Sequence, residues 1–82
     1  GRRECDFLLR EGLRIREAIQ VCESLSRAET REREISGLQE AMDTYGLKKG
    51  LLLTLNEEGS EKTPAGRVEI LPAWKWMLRA AA

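Results

Sequence analysis

The chain is expected to fold as an α/β domain, a mixed four-stranded sheet with its elements in the order β-β-α-β-β-α. Three observations lead there. Two short alternating apolar runs flank a glycine-containing turn near the start, the pattern of a hairpin. A stretch with helical spacing then leads into Leu51-Leu52-Leu53, apolar at successive positions as a strand covered on both faces must be. A second alternating run is followed by Pro72 and a tryptophan-bearing segment that suits a terminal helix.

The elements follow in order. Residues 4–9 alternate around Asp6, flanked by Cys5 and Phe7, and read as a strand. Arg10-Glu11-Gly12-Leu13 is a turn with Gly12 free to take positive φ. Residues 14–22 form the second strand, with Ile15, Ile19 and Val21 alternating against Arg14, Arg16, Ala18, Gln20 and Cys22. Ser26-Arg27-Ala28-Glu29 matches a capping box, and Ile35, Leu38, Ala41, Met42 and Tyr45 lie on one helical stripe with Gly46 as the stop. Strand, helix, buried strand is a βαβ crossover, so residues 50–55 should run parallel to residues 14–22. Residues 56–66 read as a polar loop. Residues 67–71 read as a fourth strand at or near an edge. In the terminal helix, Trp74, Met77, Leu78 and Ala81 make the apolar face, while Trp76 falls off it.

Composition narrows the chemistry. The 82 residues make one small domain with a thin core. Fourteen Lys and Arg balance fourteen Asp and Glu, which argues against a broad basic field for nucleic acid. The early cations are all arginines, and Arg2, Arg3, Arg14 and Arg16 crowd the first hairpin among Glu4, Asp6, Glu11 and Glu17. That cluster is either a salt-bridged solvent face or a phosphate-contacting patch. Histidine is absent, which removes the commonest metal ligand and general base. Two cysteines are too few for a structural zinc site. With no secretory leader or membrane-length apolar run, a cytoplasmic location with reduced thiols is expected.

The candidate site is Asp6 with Gln20 and Cys22. Strand parity puts Gln20 and Cys22 on one face, and the hairpin brings Asp6 beside them. An aspartate on one strand and Glu-x-Lys on the next build the Mg²⁺ site of metal-dependent nucleases. Here Gln20 replaces the second carboxylate and Cys22 replaces the lysine. Mg²⁺ seeks hard anionic oxygens, and Asp6 alone supplies one. A neutral thiol cannot orient water or offset phosphate charge as an ammonium does. With no histidine to activate it, Cys22 is also a poor nucleophile. Asp6 is thus either the remnant of a metal site or a structural carboxylate paired with Arg14 or Arg16.

Glu4-Cys5-Asp6-Phe7, Ile19-Gln20-Val21, Thr30-Arg31-Glu32-Arg33-Glu34, the run from Gly46 to Leu51 and Pro72-Ala73-Trp74 stand in a telling order. In that order the chain resembles the C-terminal restriction-endonuclease-like, or PD-(D/E)xK, domain of prokaryotic AAA-type ATPases. The resemblance spans nearly the whole sequence. It implies a truncated nuclease fold whose opening helix and first strand would precede residue 1, attached to the ATPase domain of a parent chain. It also implies a degenerate module that no longer cuts and serves recognition or assembly. No cofactor is then expected, and self-association through an exposed sheet edge is. The alternatives are a Mg²⁺-dependent nuclease using Asp6 with displaced partners such as Glu23, Arg33, Lys48 or Lys49, and a purely structural oligomerisation domain. Nucleic acid remains a possible partner, and no membrane contact is expected.

Overall fold

A computed structural model of the protein describes residues 5–81. Seven elements follow one another: β1 (Phe7–Glu11), β2 (Arg14–Val21), α1 (Ala28–Tyr45), β3 (Lys49–Thr54), β4 (Gly59–Thr63), β5 (Gly66–Pro72) and α2 (Ala73–Ala81). The strands form one mixed sheet in the order β1-β2-β3-β5-β4. The mixed α/β class is therefore as expected, but the sheet has five strands rather than four.

The hairpin and the crossover form as the pattern indicated, but the first strand is shifted: Cys5 and Asp6 precede it, and Arg10 and Glu11 belong to it, so the turn is Gly12-Leu13 alone. β1 and β2 are antiparallel, with Phe7 opposite Ile19, and Gly12 turns between them at φ 65°. β2 and β3 are parallel, with Gln20 opposite Leu52. Every residue of β3 after Lys49 is buried. Even-numbered Ala18, Leu52, Val68 and Ile70 pack under α1 with Ile35, Leu38 and Met42. Odd-numbered Ile19, Leu51, Leu53 and Leu71 pack under α2 with Ala73 and Trp76. Helix, sheet and helix are thus three layers, and the period of two assigns each strand residue to one of two cores.

The additional strand lies inside the segment read as a loop. Gly59–Thr63 is polar and mostly exposed, so hydrophobic alternation carries no trace of it. It forms because a two-residue turn, Pro64-Ala65, folds the chain back onto β5. Thr63 braces that turn, its hydroxyl donating to the Gly66 carbonyl and accepting from the Gly66 N–H, both at 3.2 Å. In consequence β5 is an inner strand between β3 and β4, and β4 takes the edge.

Three local expectations are corrected. The capping box does not form: Arg27 is the N-cap of α1 without a side-chain cap bond, and Ser26 is engaged with Ser24. Tyr45 ends the helical stripe outside the core, 43 % exposed, whereas the Gly46 stop holds at φ 66° with its N–H bonded to the Met42 carbonyl. The terminal helix is turned over relative to its apolar pattern. Trp76 and Ala73 face the sheet, while Trp74 (53 % exposed), Met77 and Leu78 (65 %) point outward.

Candidate functional site

The hairpin does bring Asp6 beside Gln20: the Gln20 side chain holds the Asp6 backbone, and the Asp6 side chain holds the backbone of the next residue, Val21. The Asp6 N–H donates to Gln20 Oε1 at 2.8 Å. The Val21 N–H donates to Asp6 Oδ2, also at 2.8 Å. Asp6 stands just before β1 begins, where the ladder with β2 has not started, so these two bonds do the work of a missing ladder pair. Each is worth about 1 kcal/mol net, and more is lost if one partner is removed and the other stays buried. Asp6 is therefore a structural carboxylate, though not through Arg14 or Arg16. Arg16 instead meets Glu11 at 3.5 Å.

Gln20 lies 5 % exposed beneath α1. Its roof is Gly37, where even a methyl group would sit 2.9 Å from the Gln20 amide nitrogen. Cys22 shares the face, as expected. It is half-buried against the α1 core, and its thiol donates to the Ser24 carbonyl at 3.2 Å. Cys5 was not among the expected site residues, yet its thiol donates to the Ile19 carbonyl at 3.2 Å and so ties the same junction. Burial pushes the Cys5 thiol above its ordinary value of 9.0, and the Asp6 charge adds to the effect. Both cysteines are free. The signal for Gly37 was present in the sequence as a glycine inside a helical run, a position that costs stability unless space is needed there.

The residues present do not fit a Mg²⁺ ion. The ion wants one or two carboxylates with oxygens to give, plus room for water. Here there is one carboxylate with an oxygen already holding Val21, and an amide oxygen already holding Asp6. Among the described residues no three His, Cys, Asp or Glu side chains gather at one point. Two of the displaced partners, Lys49 and Glu23, are also badly placed. Lys49 lies three residues along β3 from Leu52, the neighbour of Gln20, which is about 10 Å away, and it faces the other side of the sheet. Glu23 is exposed beyond the end of β2.

Of the candidate arginines, Arg14 and Arg16 are exposed at the start of β2, at the far end from Gln20. Arg2 and Arg3 lie outside the described residues. Among the described residues no helix is long and apolar enough to cross a membrane. No family model, curated protein or solved structure matches the chain.

Proposed function

We propose that the chain is a degenerate nuclease-like module of an AAA-type ATPase, non-catalytic, and used for recognition or assembly. The observation that carries this is the two-bond clamp: the aspartate and the amide at the two nuclease positions are spent on holding the first strand to the second. The same two positions that elsewhere hold a metal here hold backbone. The mixed sheet with its hairpin and βαβ crossover is compatible with the later part of a restriction-endonuclease-like fold.

Assembly has its own support at β1. All five of its residues are exposed, and Phe7 (57 %), Leu8 and Leu9 (41 %) leave both its faces apolar. The opposite edge, β4, carries Ser60, Glu61 and Lys62 and is protected by charge. An unprotected apolar edge is a template for another strand. The occupant is a second copy of the chain or the ATPase portion of the parent.

Two measurements test this. Calorimetric Mn²⁺ titration should give the same negligible heat for wild type and Asp6→Ala; a site lost in the variant refutes the non-catalytic assignment. Light scattering should show association of the wild type that Leu9→Lys abolishes. A monomer at every concentration refutes assembly through β1.

A further inference from the structure

The face of the sheet opposite the clamp carries a row of cations that the fold itself does not use. Lys49 on β3 stands opposite Arg67 on β5, and Arg67 stands opposite Lys62 on β4. Residues in register share a face, and Arg67 shares its face with Leu71, under α2. The three are exposed and neighbours lie one strand apart, about 4.8 Å, so three positive charges run in a line across three strands. Like charges directly opposite destabilise a sheet. Among the described residues none of the three has a carboxylate partner, although Arg16, Arg31, Lys75 and Arg79 all form ion pairs.

The row runs into a cleft of about 270 Å³ lined by Lys49, Arg16, Arg79, Trp76, Glu17 and Glu69 among others. Arg16 reaches it through a bulge. Leu9 pairs with Glu17 and Arg10 pairs with Ile15, which leaves Arg16 as the extra residue of β2 and re-aims its side chain. Trp76 is half-buried, so its indole closes the wall of the cleft as well as capping the core below.

We infer that this face binds a single-stranded nucleic acid, its phosphates along Lys62, Arg67 and Lys49 and a base against Trp76. A line of unpaired cations at strand spacing suits a linear chain of phosphates. An indole next to that line supplies the sequence-tolerant stacking that single strands offer and duplexes hide. The inference is independent of the nuclease resemblance and of assembly through β1, since it uses other residues on the other face.

The test uses a fluorescent oligothymidylate and anisotropy over a salt series. With three phosphate contacts to a single strand the log–log salt slope should be about −2, so affinity falls roughly twentyfold from about 50 to about 200 mM salt. The triple variant Lys49→Gln, Lys62→Gln, Arg67→Gln should lose at least tenfold in affinity and flatten that slope, with its circular dichroism unchanged. In a Trp74→Phe background Trp76 is the sole tryptophan, and its emission should be quenched by the oligonucleotide. Absent binding, unchanged binding by the triple variant or an unquenched Trp76 overturns the inference. So does tighter binding to duplex, or binding to phosphatidylserine vesicles in place of the oligonucleotide.

Discussion

Restoring the nuclease carboxylate by Gln20→Glu should cost this protein a large share of its stability at neutral pH. The new carboxyl would occupy a position 5 % exposed, under Gly37, with the Asp6 carboxylate close by. Burial and a like charge both disfavour its ionised form. If they lift its folded pKa about two units above the unfolded value of about 4.3, the cost at pH 7 is about 2.7 kcal/mol. The sign follows from the raised folded pKa. Below about pH 4 the carboxyl is neutral in both states and the variant approaches wild type; stability is lost as pH rises through about 4.3 to 6.3 and is flat above. A small domain has about 5 kcal/mol or little more in total, so the loss is visible. Urea denaturation of both proteins across that pH range is the assay. A variant as stable as wild type at pH 7, with a parallel pH profile, would show that position 20 is open to water and that the clamp is not closed.

Three further outcomes are expected. Gly66→Ala should destabilise by at least about 2 kcal/mol in chemical denaturation, because a Cβ there would sit 2.1 Å from the Lys48 carbonyl oxygen, which accepts from the Arg67 N–H at 2.9 Å. Trp76→Ala should cost about 3 kcal/mol and Trp74→Ala under about 0.5, since one faces the sheet and the other solvent; thermal melts of the two variants rank them. The Cys5 thiol titrates above 9.0 when folded, so its contribution is intact below that pH and fades as pH climbs through the folded value; Cys5→Ser should remove this alkaline loss, read by denaturation at rising pH.

What the sequence makes legible here depends on how hydrophobicity reports burial. β3 and α1 are covered, so Leu51-Leu52-Leu53 and the Ile35-Leu38-Met42 stripe announce them, and Gly46 marks the stop. β4 is a solvent edge held by backbone bonds and a threonine-braced turn, and nothing apolar marks it. Missing β4 also hides the cation row, because Lys62 and Arg67 become neighbours only once Thr63 to Gly66 is recognised as a hairpin turn. The inversion of α2 has a different cause. Its strongest apolar stripe is Trp74, Met77 and Leu78, and local pattern assigns that stripe inward; direct continuation from Pro72 at the end of β5 instead delivers Ala73 and Trp76 onto Leu53 and Leu71. At the site, parity placed Asp6, Gln20 and Cys22 together, but only the structure shows that the first two bind backbone.

The two sides of the sheet follow different rules. On the α1 side the buried residues serve packing: a buried stripe, a glycine cut to fit Gln20, a salt bridge from Arg31 to Glu61 at 2.8 Å and no buried side-chain polar atom left unpaired among the described residues. Folding alone accounts for those residues. On the other side and along β1, three features oppose folding or solubility: Phe7, Leu8 and Leu9 on an open edge, Trp74, Met77 and Leu78 on the outside of α2, and three cations in mutual repulsion. Local rules are broken where something other than stability sets the residue. The outer face of α2 and the cation row lie away from α1, and β1 lies at the open edge, which points to contact surfaces there. They are distinct from the Asp6–Gln20 clamp, whose bonds serve the strand junction and need no ligand to explain them.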